Sequence, residues 1–184
     1  RSSDLVQKSQ AKAVAEVYNP NRFGPRTKKF GLQQGQAFDL ELGHDIRQEG
    51  TRRTIRKYIR TQKPGLVCVS PPCTLMSLMQ NMNQHHRDAD PQKQREFDRR
   101  MVEARLLLSF AIEICEMVRE YGGTFCFEHP WTSKAWHDHH LKRLMERDDV
   151  YVARCDQCMF DLKSPEGNLH KKPTGWMTNN GEVA

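Results

Sequence analysis

Two short stretches of this chain carry residue types that can make and break bonds on a heteroaromatic ring: Ser70-Pro71-Pro72-Cys73-Thr74 and Phe127-Glu128-His129-Pro130. A Pro-Pro pair fixes φ at successive positions and withholds two N–H donors, so it can neither continue a helix nor join a sheet ladder. The next side chain, Cys73, is thereby held away from whatever strand precedes it, on a stiff bracket. A cysteine attacks as its thiolate and can form a covalent intermediate, while a desolvated carboxyl group such as Glu128 could stay protonated and donate a hydrogen bond. Together they suit nucleophilic addition assisted by an acid. A turn cysteine without a role is the plainer reading of Cys73 alone.

The elements around these stretches decide whether they can meet. Leu66–Ser70 is a continuous apolar run, as a parallel strand buried on both faces requires, and Thr124–Phe127 is a second one, stopped at Glu128-His129-Pro130. Between them, Asn81–Asp90 reads as an exposed polar loop, and Pro91 opens a helix that runs to about Tyr121 before Gly122-Gly123. Upstream, Ala13–Tyr18 suits a buried strand opening at Asn19-Pro20. Arg22–Phe30 reads as a short basic helix closed by Gly31, Gln36–Leu42 as a strand, and Thr51–Thr61 as an amphipathic helix with Ile55 and Ile59 inward. Downstream, Ser133–Arg147 reads as a helix, Val150–Ala153 as a strand, and the turn-rich tail as a hairpin or edge strand. Strands alternating with helices imply crossovers and a mainly parallel sheet with helices on both faces. Ligands in such sheets sit beyond the carboxyl ends of the strands, where Cys73 and Glu128 both fall.

The 184 residues are enough for one domain, read here as 13–184 after a flexible segment 1–12. No window offers the ~20 apolar residues of a membrane span, and no signal peptide opens the chain, so an intracellular, soluble protein of nucleus or cytoplasm is expected. The six cysteines are too scattered for a disulfide scaffold, and Cys155-Asp156-Gln157-Cys158 lacks a second pair to complete a zinc site, so no metal is expected. The net charge of +6 is concentrated in Arg22–Lys29, Arg47–Lys63 and His170–Lys172, which fits a polyanionic partner as well as a solvated basic face.

The run Ser70-Pro71-Pro72-Cys73-Thr74, with Ser77 and Gln80 after it, resembles the nucleophile loop of the DNA cytosine-C5 methyltransferases. Glu128 occupies the place of that family's second catalytic element, a glutamate at a strand end. A closer resemblance is to compact, divergent domains of this type in phage and retroelement polyproteins, which carry Ser-Pro-Pro-Cys-Thr, Glu-His-Pro and a tail matching Lys172–Asn179. The resemblance implies a Rossmann-like class I methyltransferase fold, S-adenosylmethionine as cofactor, and nucleic acid, DNA first, as partner. It implies Cys73 as nucleophile at cytosine C6 and Glu128 as the acid at N3. Ser70, Pro71, Pro72, Thr74, Ser77, Gln80, His129 and Pro130 would shape the base site, with His129 orienting the acid. The base would be flipped out of a duplex or taken from a single strand. The cofactor elements are less plain, because no Gly-rich loop is present. One mapping makes Ala13–Tyr18 the first strand, its last residue Tyr18 a cofactor contact, with Asn19-Pro20 replacing the glycines and Asp39 as ribose acid. Another makes Glu16 the ribose acid and sets Asp45 and Ile46 against the adenine.

Two other classes compete. Amino methyltransferases acting on adenine N6 or cytosine N4 share the Pro-Pro loop, but they follow it with an aromatic residue where this chain has Cys73, and Glu128 would have no role. A catalytically degenerate module of the same fold, binding nucleic acid or a protein, would account for the basic helices and the absent glycines.

Overall fold

A computed structural model describes residues 13–183; the segment 1–12 lies outside the described residues. Six strands, β1 (Ala13–Val17), β2 (Gln33–Phe38), β3 (Leu66–Val69), β4 (Thr124–Pro130), β5 (Tyr151–Asp156) and β6 (Pro173–Thr178), form one sheet in the order β2-β1-β3-β4-β6-β5. β1 to β4 are mutually parallel, and β6 runs antiparallel to both neighbours, β4 and β5. The domain is therefore α/β with a mixed, mostly parallel sheet. The tail forms β6 inside the sheet rather than at its edge.

The helices are α1 (Glu49–Gln62), α2 (Gln84–Asp88), α3 (Pro91–Glu120) and α4 (His139–Met145). α3 starts where Asp90 accepts the N–H groups of Gln92 and Lys93 and Pro91 presets φ, as an N-cap followed by Pro should. Its buried residues Leu108, Ala111, Ile112, Cys115 and Val118 share one core with Ile55 and Ile59 of α1, Leu141 and Leu144 of α4, and Ala15, Val17, Val67, Val69, Phe125 and Phe127 of the sheet. These strand residues alternate with Val14, Cys68 and Cys126, which form a smaller cluster with Leu32, Leu66 and Trp176 on the opposite face. Helices on both faces were expected. Among the described residues the long helices lie against one face, and the link between β1 and β2 is only a 3₁₀ segment, Gly24–Phe30, closed by Gly31 at φ 66°. The asymmetry has a topological cause: crossovers running the same way along the sheet with the same hand fall on the same side, and of the crossovers between parallel strands only the β1–β2 link runs backward.

Three further boundaries differ from expectation. The polar Asn81–Asp90 stretch is not an open loop but the end of a 3₁₀ segment and α2. β2 begins earlier and ends at Phe38, after which Asp39 caps the 3₁₀ turn Leu40–Leu42. The expected helix Ser133–Arg147 splits into a 3₁₀ turn, Lys134–His137, and α4, because Asp138 ends the first and caps the second.

Candidate functional site

The sheet order reverses direction between β1 and β3: from β1 the chain moves out to β2, and from β3 it moves the other way to β4. A crevice is expected beyond the carboxyl ends at such a switch point. A cavity of about 500 Å³ lies there. Tyr18 and Ser70 line it from the ends of β1 and β3. Asp39, His44, Asp45, Ile46 and Arg47 line it from the stretch after β2, Pro72, Thr74 and Leu75 from the Pro-Pro loop, and Arg100, Glu103 and Leu107 from α3. Its volume is in the range of small-molecule sites.

The Cys73 loop is built stiffly. Pro71 is buried, Pro72 is exposed, and half-buried Cys73 precedes a 3₁₀ turn, Thr74–Met76, its carbonyl accepting from the Met76 N–H at 3.0 Å. The Gln80 side chain donates to the Thr74 carbonyl (3.2 Å), Ser77 caps the next turn by accepting the Met79 N–H (3.2 Å), and the Ser133 hydroxyl donates to the Met76 carbonyl (3.2 Å). These bonds tie the loop to itself and to the segment after β4.

β3 and β4 pair in register with Val69 opposite Phe127, so Ser70 and Glu128 come one step further along neighbouring strands. No hydrogen bond or ion pair links Cys73 to Glu128, and neither lines the cavity. β4 does not stop at Glu128 as expected but runs to Pro130, because β6 supplies partners: Trp176 opposite Glu128 and Gly175 opposite His129. Strand alternation then sends Glu128 and His129 to opposite faces, so His129 does not orient the acid. The Lys172 ammonium stands beside Glu128 instead, 3.8 Å from Oε1, too far for a hydrogen bond, and the buried Oε1 has no hydrogen-bond partner among the described residues. Burial raises the Glu128 pKa, and Lys172 and Arg22 oppose the rise.

His129 is only 1 % exposed, stacks on Phe127 at 6.0 Å between centroids, meets Trp136 edge-on, and among the described residues has no partner at either ring nitrogen. Trp136 is core; its indole N–H donates to the Pro130 carbonyl (2.9 Å), and its ring lies so close to Gly175 that a Cβ there would strike it. Trp131 is exposed, with the Arg154 guanidinium 5.7 Å over its ring. Desolvation lowers the His129 pKa to about 4 from an ordinary 6.5. The unfolded chain therefore takes up this proton first, so the stability this neutral imidazole provides is complete above pH 6.5 and is lost as pH falls toward 4. At pH 5 unfolding is expected to be easier than at pH 7.5 by about 2 kcal/mol, and His129→Phe to flatten that slope. Urea titrations at the two pH values check this; an unchanged slope in the variant would place the titration elsewhere.

The cofactor residues divide. Tyr18, Asp39, Asp45 and Ile46 line the cavity, whereas Glu16, Asn19 and Pro20 do not. Glu16 is 1 % exposed, and its carboxylate accepts the N–H groups of Arg22 (3.0 Å), Phe23 (3.0 Å) and Gly24 (3.1 Å). It holds the loop after β1 and has no free edge for a ribose. In place of glycines, Tyr18 (φ 63°) and Asn21 (φ 59°) take the left-handed backbone of that loop, and the Tyr18 hydroxyl is pinned to the Leu107 carbonyl at 2.7 Å. Asp39 accepts the Glu41 N–H with Oδ1 (2.9 Å). Asp45 is gripped by the Arg47 guanidinium at 2.8 Å, which lowers its pKa.

Sequence reasoning missed Lys172 as the neighbour of Glu128, although the Lys-Pro-Thr tail that carries it was in view, and it missed the α3 wall of Arg100, Glu103 and Leu107, whose signal was helical spacing alone. The rest of that tail is structural: Asn179 accepts the Phe125 N–H (2.9 Å) and donates to the Gly123 carbonyl (2.8 Å), fixing the start of β4. Among the described residues no three His, Cys, Asp or Glu side chains converge on a metal position, and no helix is long and apolar enough to cross a membrane. No protein-family model matches the sequence, and no curated protein matches it.

Proposed function

We propose that this chain is a Rossmann-like, S-adenosylmethionine-dependent methyltransferase domain acting on cytosine C5 in nucleic acid. The supporting observation is one of placement: Ser70, where the Cys73 loop begins, and Glu128 stand one step past the paired Val69 and Phe127 on adjacent parallel strands, and Ser70 lines the cavity at the switch point. Cys73 Sγ would add to C6 of the ring while the protonated Glu128 hydrogen-bonds N3, which moves electron density to C5. S-adenosylmethionine would supply the methyl group from its sulfonium. After methylation, loss of the C5 proton lets the C6–S bond break and returns the free cysteine. For the cofactor, Asp39 offers a carboxylate, Ile46 and Leu75 offer apolar walls, and Arg47 holds Asp45.

One observation favours a second reading, a degenerate module that binds without catalysing. The N–H groups that a loop after β1 could offer a ligand are taken by Glu16. Calorimetry with S-adenosylmethionine separates the two: binding is expected, weakened about tenfold or more by Asp39→Ala. Incubation with labelled methyl donor and 5-fluorocytosine-containing DNA is expected to trap a covalent adduct, because the C5 fluorine cannot leave as a proton. An adduct formed equally well by Cys73→Ser would remove the nucleophile, and no cofactor heat with nucleic-acid binding intact would favour the module.

A further inference from the structure

Arg87, on α2, is 8 % exposed, and its guanidinium lies 4.1 Å over the Phe97 ring. One terminal nitrogen donates to the Gln80 carbonyl (2.9 Å) and the other to the Gln84 side-chain oxygen (3.1 Å), both neutral acceptors, while the buried Nε has no partner among the described residues. Among the described residues no carboxylate pairs with this cation. The side chain lines a cavity of about 530 Å³ whose wall also includes Leu75, Gln92, Lys93 and Arg100. Two carboxylates stand on the same wall, and both are engaged: Asp90 accepts the N–H groups of Gln92 and Lys93 and faces the Lys93 ammonium at 3.6 Å, and Glu96 is held by Arg99 at 2.8 Å. Among the described residues Arg100 makes no ion pair within 4 Å, although its charge acts on the neighbouring Glu96 carboxylate, so Arg87 is the guanidinium at this cavity without a counter-charge.

A buried cation without a counter-ion is costly, and ring contact offsets only part of that cost. We propose that this cavity binds a phosphate group, with the guanidinium groups of Arg87 and Arg100 as its donors. Planar guanidinium groups match phosphate oxygens well. The cavity shares Leu75 and Arg100 with the one at the switch point, and Leu75 is two residues past Cys73. A strand presenting a base to Cys73 would therefore carry its next phosphates past Arg100. That identity of the phosphate as a strand's phosphodiester rests on the function proposed above; the anion site itself does not.

The test is a ¹H–¹⁵N titration that follows the Arg87 Nε–H resonance, with inorganic phosphate in one arm and a dinucleotide with a single internal phosphodiester in the other. A saturable shift of Arg87, weakened about tenfold by Arg100→Gln, is expected. Because Arg100 is exposed, the variant keeps the Arg87 signal as its own proof of folding. Saturation by the dinucleotide identifies a strand phosphate, and saturation by inorganic phosphate alone identifies a free or terminal one. An unmoved Arg87 resonance in both arms, or a linear drift equal to that of exposed Arg143, overturns the site. Failure of the methyltransferase reading would appear as absent cofactor heat and leave this titration unchanged.

Discussion

Glu128→Gln is expected to slow methyl transfer to cytosine by about 10²–10⁴, with cofactor affinity unchanged. The size follows from the role: a glutamine keeps the shape and can still offer an N–H, but it cannot supply a proton to N3. The sign of the pH dependence follows from burial. Desolvation raises the Glu128 pKa above the ordinary 4.5, so the protonated form persists to higher pH than for a free glutamate. The neutral acid contributes stability in full below pH 4.5, and this is lost as pH rises through the folded value; the rate should fall over the same window. Lys172, 3.8 Å away, opposes the rise. Lys172→Gln should therefore move the alkaline fall of the rate to higher pH while leaving the plateau within a few-fold, which loss of packing alone would not do. Rate–pH profiles of the three proteins check the pair; a Lys172→Gln profile superimposable on the parent would sink it.

How far the fold could be read from residues is visible element by element. β3 and the start of β4 were legible because a strand buried on both faces must be apolar throughout, and α3 was legible because its Pro91, its helical spacing and its closing Gly122 are local signals. What failed were assignments that depend on distant partners. Glu128-His129-Pro130 looks like a turn until β6 is laid beside it, and only then does alternation send His129 into the core and Glu128 to the other face. The polar stretch before Pro91 becomes helical because Arg87 is received by the Phe97 ring and the Gln80 carbonyl, neither of which periodicity can show. Ser70 and Glu128 could be assigned to neighbouring places because each follows an apolar run in the sequence. Their neighbours, Lys172 and the α3 wall, come from elements whose approach only the folded chain reveals.

Glu16 was the misread residue with a signal of its own: a lone acid inside the apolar run Ala13–Val17, where a charge must find donors or stay out. Its three N–H partners set the second large effect. Glu16→Ala strands the buried Gly24 donor and takes the acceptor from the part-buried donors of Arg22 and Phe23, and a buried donor so stranded costs about 1–3 kcal/mol. Water can reach the outer two and the three share one loop, so a total of roughly 2–4 kcal/mol is expected rather than three full penalties. Glu16→Gln should fall between, because one carbonyl oxygen can still serve Phe23 and Gly24 while the amide faces the Arg22 N–H, donor against donor. Urea denaturation of the three proteins measures the series. An acid placed there to hold a ribose would give the opposite pattern: cofactor binding lost in Glu16→Ala at an unchanged midpoint. The geometry instead couples the two, since the loop that Glu16 gathers begins at Tyr18, whose ring forms one wall of the cavity. Stability should fall first, and cofactor affinity should follow it only as the loop loosens.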